Sequence, residues 1–154
     1  MRIPIYQIDA FSSQPFKGNP AAVCPLEEWL PDEVMQSIAM ENNLSETAFF
    51  IKNEDQYDIR WFAPKIEIDL AGHPTLATAH VIFNEMNHQG DSITFNSKIG
   101  DTLDITRNKD IISMNFPSRP PKKIYKKELI EEAIGVEVEE FYEEMQLESN
   151  RSAV

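Results

Sequence analysis

The fold is decided by a helix-forming segment that reads Leu70-Ala71-Gly72-His73-Pro74-Thr75-Leu76-Ala77-Thr78-Ala79-His80. Gly72-His73-Pro74 predicts the start of a helix, because proline fits the first helical turn, and we expect this helix to extend to about Met86. Its small residues permit close packing on both sides. The first backbone N–H groups of such a helix have no partner within it and can bind an anion, such as a carboxylate.

Alternating apolar residues on either side of this helix predict strands. The expected strands are centred on Ile3–Phe11, Ala21–Cys24, Thr47–Lys52, Tyr57–Phe62, Ile93–Phe95, Leu103–Ile105 and Ile112–Phe116. An earlier helix is expected from Pro31 to the Asn42-Asn43 pair, since asparagine tolerates the left-handed conformation of a helix end. Gly100-Asp101 predicts a hairpin turn. The pattern therefore predicts a compact α+β unit of about residues 1–117.

The composition changes after Phe116. Pro117, Pro120 and Pro121 predict an extended connector, and two short helices are expected over 126–134 and 136–147. Nine acidic residues and no basic residue lie between Glu128 and Glu148, so that the rest of the chain carries only −3 of the formal net charge of −12.

Charge and hydropathy exclude several classes of protein. The chain lacks the stripe of Lys and Arg that follows a nucleic-acid backbone, so nucleic-acid binding is not expected. No stretch reaches the roughly 18 apolar residues of a membrane-spanning helix, and the first ten residues do not form a signal peptide. We therefore expect a cytoplasmic protein with no membrane partner.

Cofactor and metal signatures are also missing from the 154 residues. The sequence contains no GxGxxG, GxxxxGK[ST], HExxH or CxxC pattern, and its three histidines are too few and too widely spaced for a metal site. Cys24 stands in an apolar run, which favours a packed thiol over a nucleophile. No cofactor and no metal are expected.

Three short segments carry the candidate chemistry. They are Gly18-Asn19-Pro20, Asn43-Leu44-Ser45-Glu46, and Ala71-Gly72-His73 before the predicted helix. Taken together, the glutamate and the histidine suggest a general base near a carboxylate-binding helix end, which proton abstraction next to a carboxylate requires. The spacing alone is also compatible with structural roles for both residues.

These segments, with Ile8-Asp9-Ala10-Phe11 and Arg60-Trp61-Phe62-Ala63-Pro64 in the same order, resemble the phenazine-biosynthesis PhzF-like isomerase family. The resemblance implies a diaminopimelate epimerase-like α+β fold, in which a mixed, mostly antiparallel sheet curls around a central helix. It implies cofactor-independent proton transfer on a small carboxylate-bearing metabolite.

The resemblance also implies roles for particular residues. Glu46 and His73 correspond to the catalytic residues, and Asn19, Ser45, Gly72 and Pro74 to substrate-binding positions. Ala71 stands where diaminopimelate epimerase has a cysteine, so two-thiol chemistry is not expected.

One departure from the family concerns the second domain. The family's Asp-Pro-x-Thr-Gly-Ser pattern, which completes the site from that domain, is absent from this sequence. We therefore expect residues 1–117 to form an N-terminal domain, and 118–154 a linker with a truncated stub of the second. Three alternatives stay open: an isomerase completed by a homodimer or by a separate C-terminal-domain chain, an inactive remnant, or a binding or scaffold protein that uses the exposed inter-domain face.

Overall fold

The computed structural model describes residues 2–118, 120, 122–123, 131–132, 135–137 and 142–143. The chain divides into two compact units, Met1–Phe116 and Pro117–Val154. The elements of the first unit are β1 (Tyr6–Ala10), β2 (Asn19–Leu26), α1 (Asp32–Asn42), β3 (Glu46–Asn53), β4 (Gln56–Phe62), β5 (Glu67–Ile68), α2 (Gly72–His80), a π-helical segment (Val81–Glu85), β6 (Ser92–Ser97), β7 (Thr102–Asn108) and β8 (Ile111–Asn115). No described helix is long and apolar enough to cross a membrane.

The strands form one eight-stranded sheet in the order β1-β2-β3-β4-β6-β7-β8, with the short β5 paired to β4. The pairs β2–β3 and β4–β6 are parallel, and the other pairs are antiparallel. Helix α1 connects the first parallel pair, and α2 lies between the strands of the second. The predicted mixed, mostly antiparallel α+β sheet is therefore confirmed.

The sheet curls around α2. Its two edge strands, β1 and β8, both contact this one helix, which a flat sheet of this width could not achieve. Ala77 and Ala79 are fully buried, and the buried hydroxyls of Thr75 and Thr78 donate to the carbonyls of Ala71 and Pro74 one turn earlier. These short side chains let the strands approach the helix axis. The predicted helix is confirmed, but its last turn is π-helical, with Met86 N–H bonded to the Val81 carbonyl at 3.0 Å.

Helix α1 covers the other face of the sheet. Met35 and Ala39 pack against Cys24, Phe49 and Phe62 in a second apolar cluster. The helix ends at Asn43, which has a φ of 51° and donates its N–H to the Ala39 carbonyl. The predicted bounds of this helix and its asparagine cap are thus confirmed.

A buried cation holds α1, β4 and β5 together on this face. Arg60 donates to Glu67 at 2.6 and 2.9 Å and contacts Asp32, at the start of α1, at 2.9 Å. Its guanidinium also lies over the rings of Trp29 and Phe62. Burial alone would raise the pKa of Glu67, but hydrogen bonds from Arg60 and Lys98 outweigh it and hold that pKa below its usual value.

The second unit is described only in part. Strands β9 (Lys122–Lys123) and β10 (Tyr142–Glu143) pair in an antiparallel manner. The helix predicted over 136–147 is therefore wrong at 142–143, and its other residues lie largely outside the described ones. Of the helix predicted over 126–134, Glu131 and Glu132 are helical, and Gly135 N–H bonds to the Glu131 carbonyl at 2.8 Å. The assignment of 118–154 to a linker and stub stays a prediction.

A first prediction concerns Gly18, before β2. A Cβ at this position would lie 2.3 Å from the Ala10 carbonyl oxygen and 2.8 Å from the Asp9 carbonyl carbon, both backbone atoms of β1. Because backbone must move to relieve the overlap, Gly18→Ala should lower the free energy of unfolding by about 1–3 kcal/mol in urea titration. The matched variant Gly72→Ala, whose Cβ would meet nothing within 4 Å, should be within ~0.5 kcal/mol of wild type. Equal stabilities of the two variants would contradict the close approach.

A second prediction concerns the Arg60 network and pH. Since the folded pKa of Glu67 is lowered, the ionised form stabilises the fold above the usual pKa of 4.5, and this contribution is lost as pH falls through the folded value. Glu67→Gln should therefore lose less stability than wild type between pH 6 and pH 3, measured by urea unfolding. Glu41→Gln removes the same charge from an exposed position, so the difference between the two variants isolates the network. If the free energy of unfolding fell equally with pH in both variants, the interaction of Glu67 with Arg60 would contribute nothing to the stability of the fold.

Candidate active site

Glu46 occupies the first position of β3, at the end of the sheet where α2 begins. It pairs with Ala21 of β2 in the parallel register, and it lies two residues before Ala48, whose side chain packs in the core around α2. Residues two apart on a strand share a face, so Glu46 faces the helix rather than α1. Its side chain is only 18% exposed.

His73 meets Glu46 from the first turn of α2. Its Nε2 lies 3.1 Å from the Glu46 Oε2 atom, and its side chain is 11% exposed. Ser45 Oγ lies 3.3 Å from the same Nε2 atom. Three of the predicted site residues therefore form one cluster, although His73 is 27 positions from Glu46 in the sequence.

In this contact, one carboxylate oxygen of Glu46 can still accept a hydrogen bond. Its Oε2 atom is buried and makes no aligned hydrogen bond, since the 3.1 Å approach of Nε2 lies outside hydrogen-bond geometry. A buried carboxylate oxygen without a donor is costly, and a catalytic role is one reason why a native structure retains such a group. Nε2 carries at most one proton, so it cannot donate to Glu46 while accepting from the Ser45 hydroxyl. Oε2 is thus an acceptor that a ligand could use.

The N-terminus of α2 is open beside this cluster. Gly72 is exposed, and nothing lies within 4 Å of the position where a Cβ would be. No side chain caps the helix, and Pro74 has no N–H, so the free donors of this first turn are the N–H groups of Gly72 and His73. An anion placed there would meet two donors and the positive end of the helix.

The other two predicted site residues lie apart from this contact. Asn19 is exposed at the first position of β2, two residues before the partner of Glu46, and therefore at the same end of the parallel pair. No described hydrogen bond links it to Glu46 or His73. Pro74 is buried in the first turn of α2, and its carbonyl accepts from Thr78. Their roles toward a substrate stay predictions.

Among the described residues, no group of three His, Cys, Asp or Glu side chains could hold a metal ion. His80 lies 3.0 Å from Asn84 on its own helix, and His88 lies 3.4 Å from the Tyr57 hydroxyl. Both histidines are thus engaged by neutral neighbours.

Sequence reasoning missed one buried polar group near the cluster. Trp61 of β4 is 1% exposed, and its Nε1–H has no hydrogen-bond partner. The strand pattern indicates that this residue is in the core but not that its donor is unsatisfied. The register of β3 with β4 places it opposite Ala48, which is two residues after Glu46 on the same strand.

The chain is similar to known proteins over most of its length. The phenazine biosynthesis-like protein family matches residues 8–153. An uncharacterized isomerase of Pseudomonas aeruginosa is 45% identical over 136 residues, which are 88% of this chain and 52% of that protein. The crystal structure of a PhzF-family protein of Enterococcus faecalis superposes with a TM-score of 0.78 at 47% identity, over 92% of this chain and 54% of that one.

A more distant structure shares the fold alone. A predicted epimerase of Pseudomonas aeruginosa has a TM-score of 0.59 at 22% identity, over 78% of this chain. The predicted epimerase-like fold class is thus confirmed by related structures. The chain spans about half the length of the relatives it matches.

A third prediction concerns Cys24. The thiol is fully buried, and burial raises its pKa to about 12, so that only about one thiol in 10⁴ is ionised at pH 8. The folded protein should therefore not react with an aromatic disulfide reagent over minutes, and denaturant should release one reactive thiol. Ser13→Cys, at an exposed position, should add one thiol that reacts at once. Rapid labelling of the folded wild type would contradict a packed thiol.

Proposed function

The chain belongs to the phenazine biosynthesis-like family, and on that premise we propose that it carries the proton-transfer half of a cofactor-independent isomerase. The substrate class is a small metabolite with a carboxylate. The observation that carries the proposal is the contact of Glu46 with His73 beside the open N-terminus of α2.

Glu46 is the general base of this proposal. Its carboxylate removes a proton from the carbon next to the substrate carboxylate, and the electron pair of the broken C–H bond delocalises onto that carboxylate. The protonated Glu46 then returns the proton to another carbon, or to the other face of the same carbon. Atoms and charge balance without an external oxidant or reductant, and Glu46 returns to its initial state.

The first turn of α2 binds the substrate carboxylate. The N–H groups of Gly72 and His73 would donate to an oxygen whose negative charge increases as the C–H bond breaks. The space over Gly72 supports this role, because a side chain there would lie between the donors and a ligand. Asn19, at the same end of the sheet, is proposed as a further polar contact.

His73 orients the base. The 3.1 Å separation between Nε2 and Oε2 limits where the carboxylate can lie, and Ser45 competes for the same nitrogen atom. His73 Nε2 shares a hydrogen bond with Ser45 in the structure, and a small rotation of the ring would let a neutral His73 donate to an ionised Glu46 instead. This makes His73 the polar partner of the base.

The described residues supply one wall of a site. The family resemblance assigns the opposite wall to a second domain, and the matched region covers 52% of the Pseudomonas aeruginosa relative. We propose that a complete site draws its second wall from residues outside this matched region. A cytoplasmic location and independence of metal and cofactor are parts of the same proposal.

A fourth prediction tests the base. In D₂O, with a panel of small 3,4-unsaturated and α-hydroxy or α-amino carboxylic acids, wild type should exchange one carbon-bound proton, detected by ¹H NMR. Glu46→Gln should lower the exchange rate by about 10²–10⁴-fold, since that is the usual contribution of a general base. The matched variant Glu41→Gln, an exposed carboxyl on α1, should retain the wild-type rate.

The outcomes separate the alternatives. Exchange that survives Glu46→Gln would contradict the assignment of the base. Binding of a carboxylic acid without any exchange would indicate a binding protein. Parallel sedimentation measurements show whether active samples contain one chain or two.

A further inference from the structure

Two buried side-chain atoms in the described part of the chain lack a hydrogen-bond partner: Glu46 Oε2, which His73 Nε2 approaches to 3.1 Å outside hydrogen-bond geometry, and Trp61 Nε1. One is an acceptor and the other is a donor. A buried donor or acceptor without a partner destabilises the fold, so the fold would be more stable if the two atoms satisfied each other.

The strand register places these residues side by side. In the antiparallel β3–β4 pair, Ala48 lies opposite Trp61. Glu46 is two positions before Ala48 on the same face, which makes it the diagonal neighbour of Trp61. Diagonal neighbours have Cα atoms about 7–8 Å apart, within reach of long and aromatic side chains.

Both side chains lie on the face that packs around α2. Trp61 belongs to the core cluster that includes Ala48, Ala21 and Ala71. Because alanine is small, these positions leave space between β2, β3 and the start of α2 for the larger side chains of Glu46 and Trp61. On the sheet side, the diagonal neighbour of Glu46 is thus the large side chain of Trp61, while His73 contacts the carboxylate from the helix side.

We infer that the Trp61 indole N–H is a positioning donor for Glu46, acting through one bridging water molecule. The two atoms make no direct hydrogen bond, and a water between them would satisfy both. The indole then holds Oε2 from the sheet side and stabilises the ionised carboxylate. This inference deepens the proposed function, on which it rests for its catalytic consequence but not for its structural test.

The ionisable side chains packed around Glu46 and Trp61 determine which group could change the indole signal with pH. From α2, His73 is the ionisable side chain that contacts Glu46. The same-face neighbours on β2 and β4 are alanine, valine and isoleucine. Glu67 pairs with Phe62 rather than with Trp61, and so lies with Arg60 on the opposite face of β4. A pH response of the indole therefore reports on Glu46 or on His73.

A fifth prediction tests the inference on the intact protein without substrate. The sequence has two tryptophans, so the indole region of a ¹H–¹⁵N spectrum contains two signals, and Trp29→Phe identifies that of Trp61. The Trp61 signal should move sigmoidally with pH in wild type and in His73→Gln. In Glu46→Gln the transition should disappear. A Trp61 signal that does not move, or one that moves equally in Glu46→Gln, would overturn the inference.

A kinetic measurement separates positioning from packing. Trp61→Phe keeps most of the ring but removes the donor, so exchange should fall about 3- to 10-fold, as expected for the loss of one hydrogen bond of about 1 kcal/mol. The pH of half-maximal exchange should move upward, because the ionised base has lost a donor. A lower rate with an unchanged pH profile would indicate a packing role and overturn the inference. If no acid exchanges at all, the proposed function fails, while the NMR result still decides the role of Trp61.

Discussion

The close packing of the sheet on α2 is the constraint on which the rest of the first unit depends. Both edge strands of the eight-stranded sheet contact this helix, and they can do so because its buried positions are alanine, threonine and one proline. A larger side chain at Ala77 or Ala79 would force the strands apart. The same packing brings the N-terminus of α2 to the end of the sheet where β2 and β3 begin, and so brings His73 to Glu46.

Ion pairs on the opposite face of the sheet help to determine where α2 begins, because they hold the strand that precedes it. Strand β5 ends at Ile68, four residues before Gly72, and it is held by the bonds of Glu67 with Arg60 and Lys98. Arg60 also contacts Asp32 at the first position of α1. The network thus joins the two helices through β4 and limits where the chain can enter α2. Gly72 and His73, whose N–H groups are the proposed donors, come shortly after this anchored strand in the sequence.

The sequence allowed the long elements to be predicted, because their signals are local. Asn43 caps α1 by its own left-handed conformation, and Gly100, with a φ of 92°, forms the turn between β6 and β7. Strand β5 has two residues, too few for an alternating pattern, and the π-helical turn at Val81–Glu85 depends on packing rather than on composition. At Tyr142–Glu143, an amphipathic pattern that favoured a helix was overridden by pairing with Lys122–Lys123.

The candidate site could be predicted only in part, for the same reason. Residue types and a family resemblance pointed to Glu46, His73, Ser45 and Gly72, but the 3.1 Å contact joins residues 27 positions apart, and no spacing rule reveals it. The unsatisfied donor of Trp61 is likewise a product of strand register and burial.

A double-mutant cycle on stability measures most directly the coupling between Glu46 and His73, on which the candidate site depends. Urea unfolding at neutral pH of Glu46→Ala, His73→Ala and the double variant gives the interaction free energy, independent of substrate. The double variant should be less destabilised than the sum of the single variants, by about 1 kcal/mol, as expected for two contacting, largely buried polar groups. Effects that add to within about 0.3 kcal/mol would contradict a coupled pair at this position.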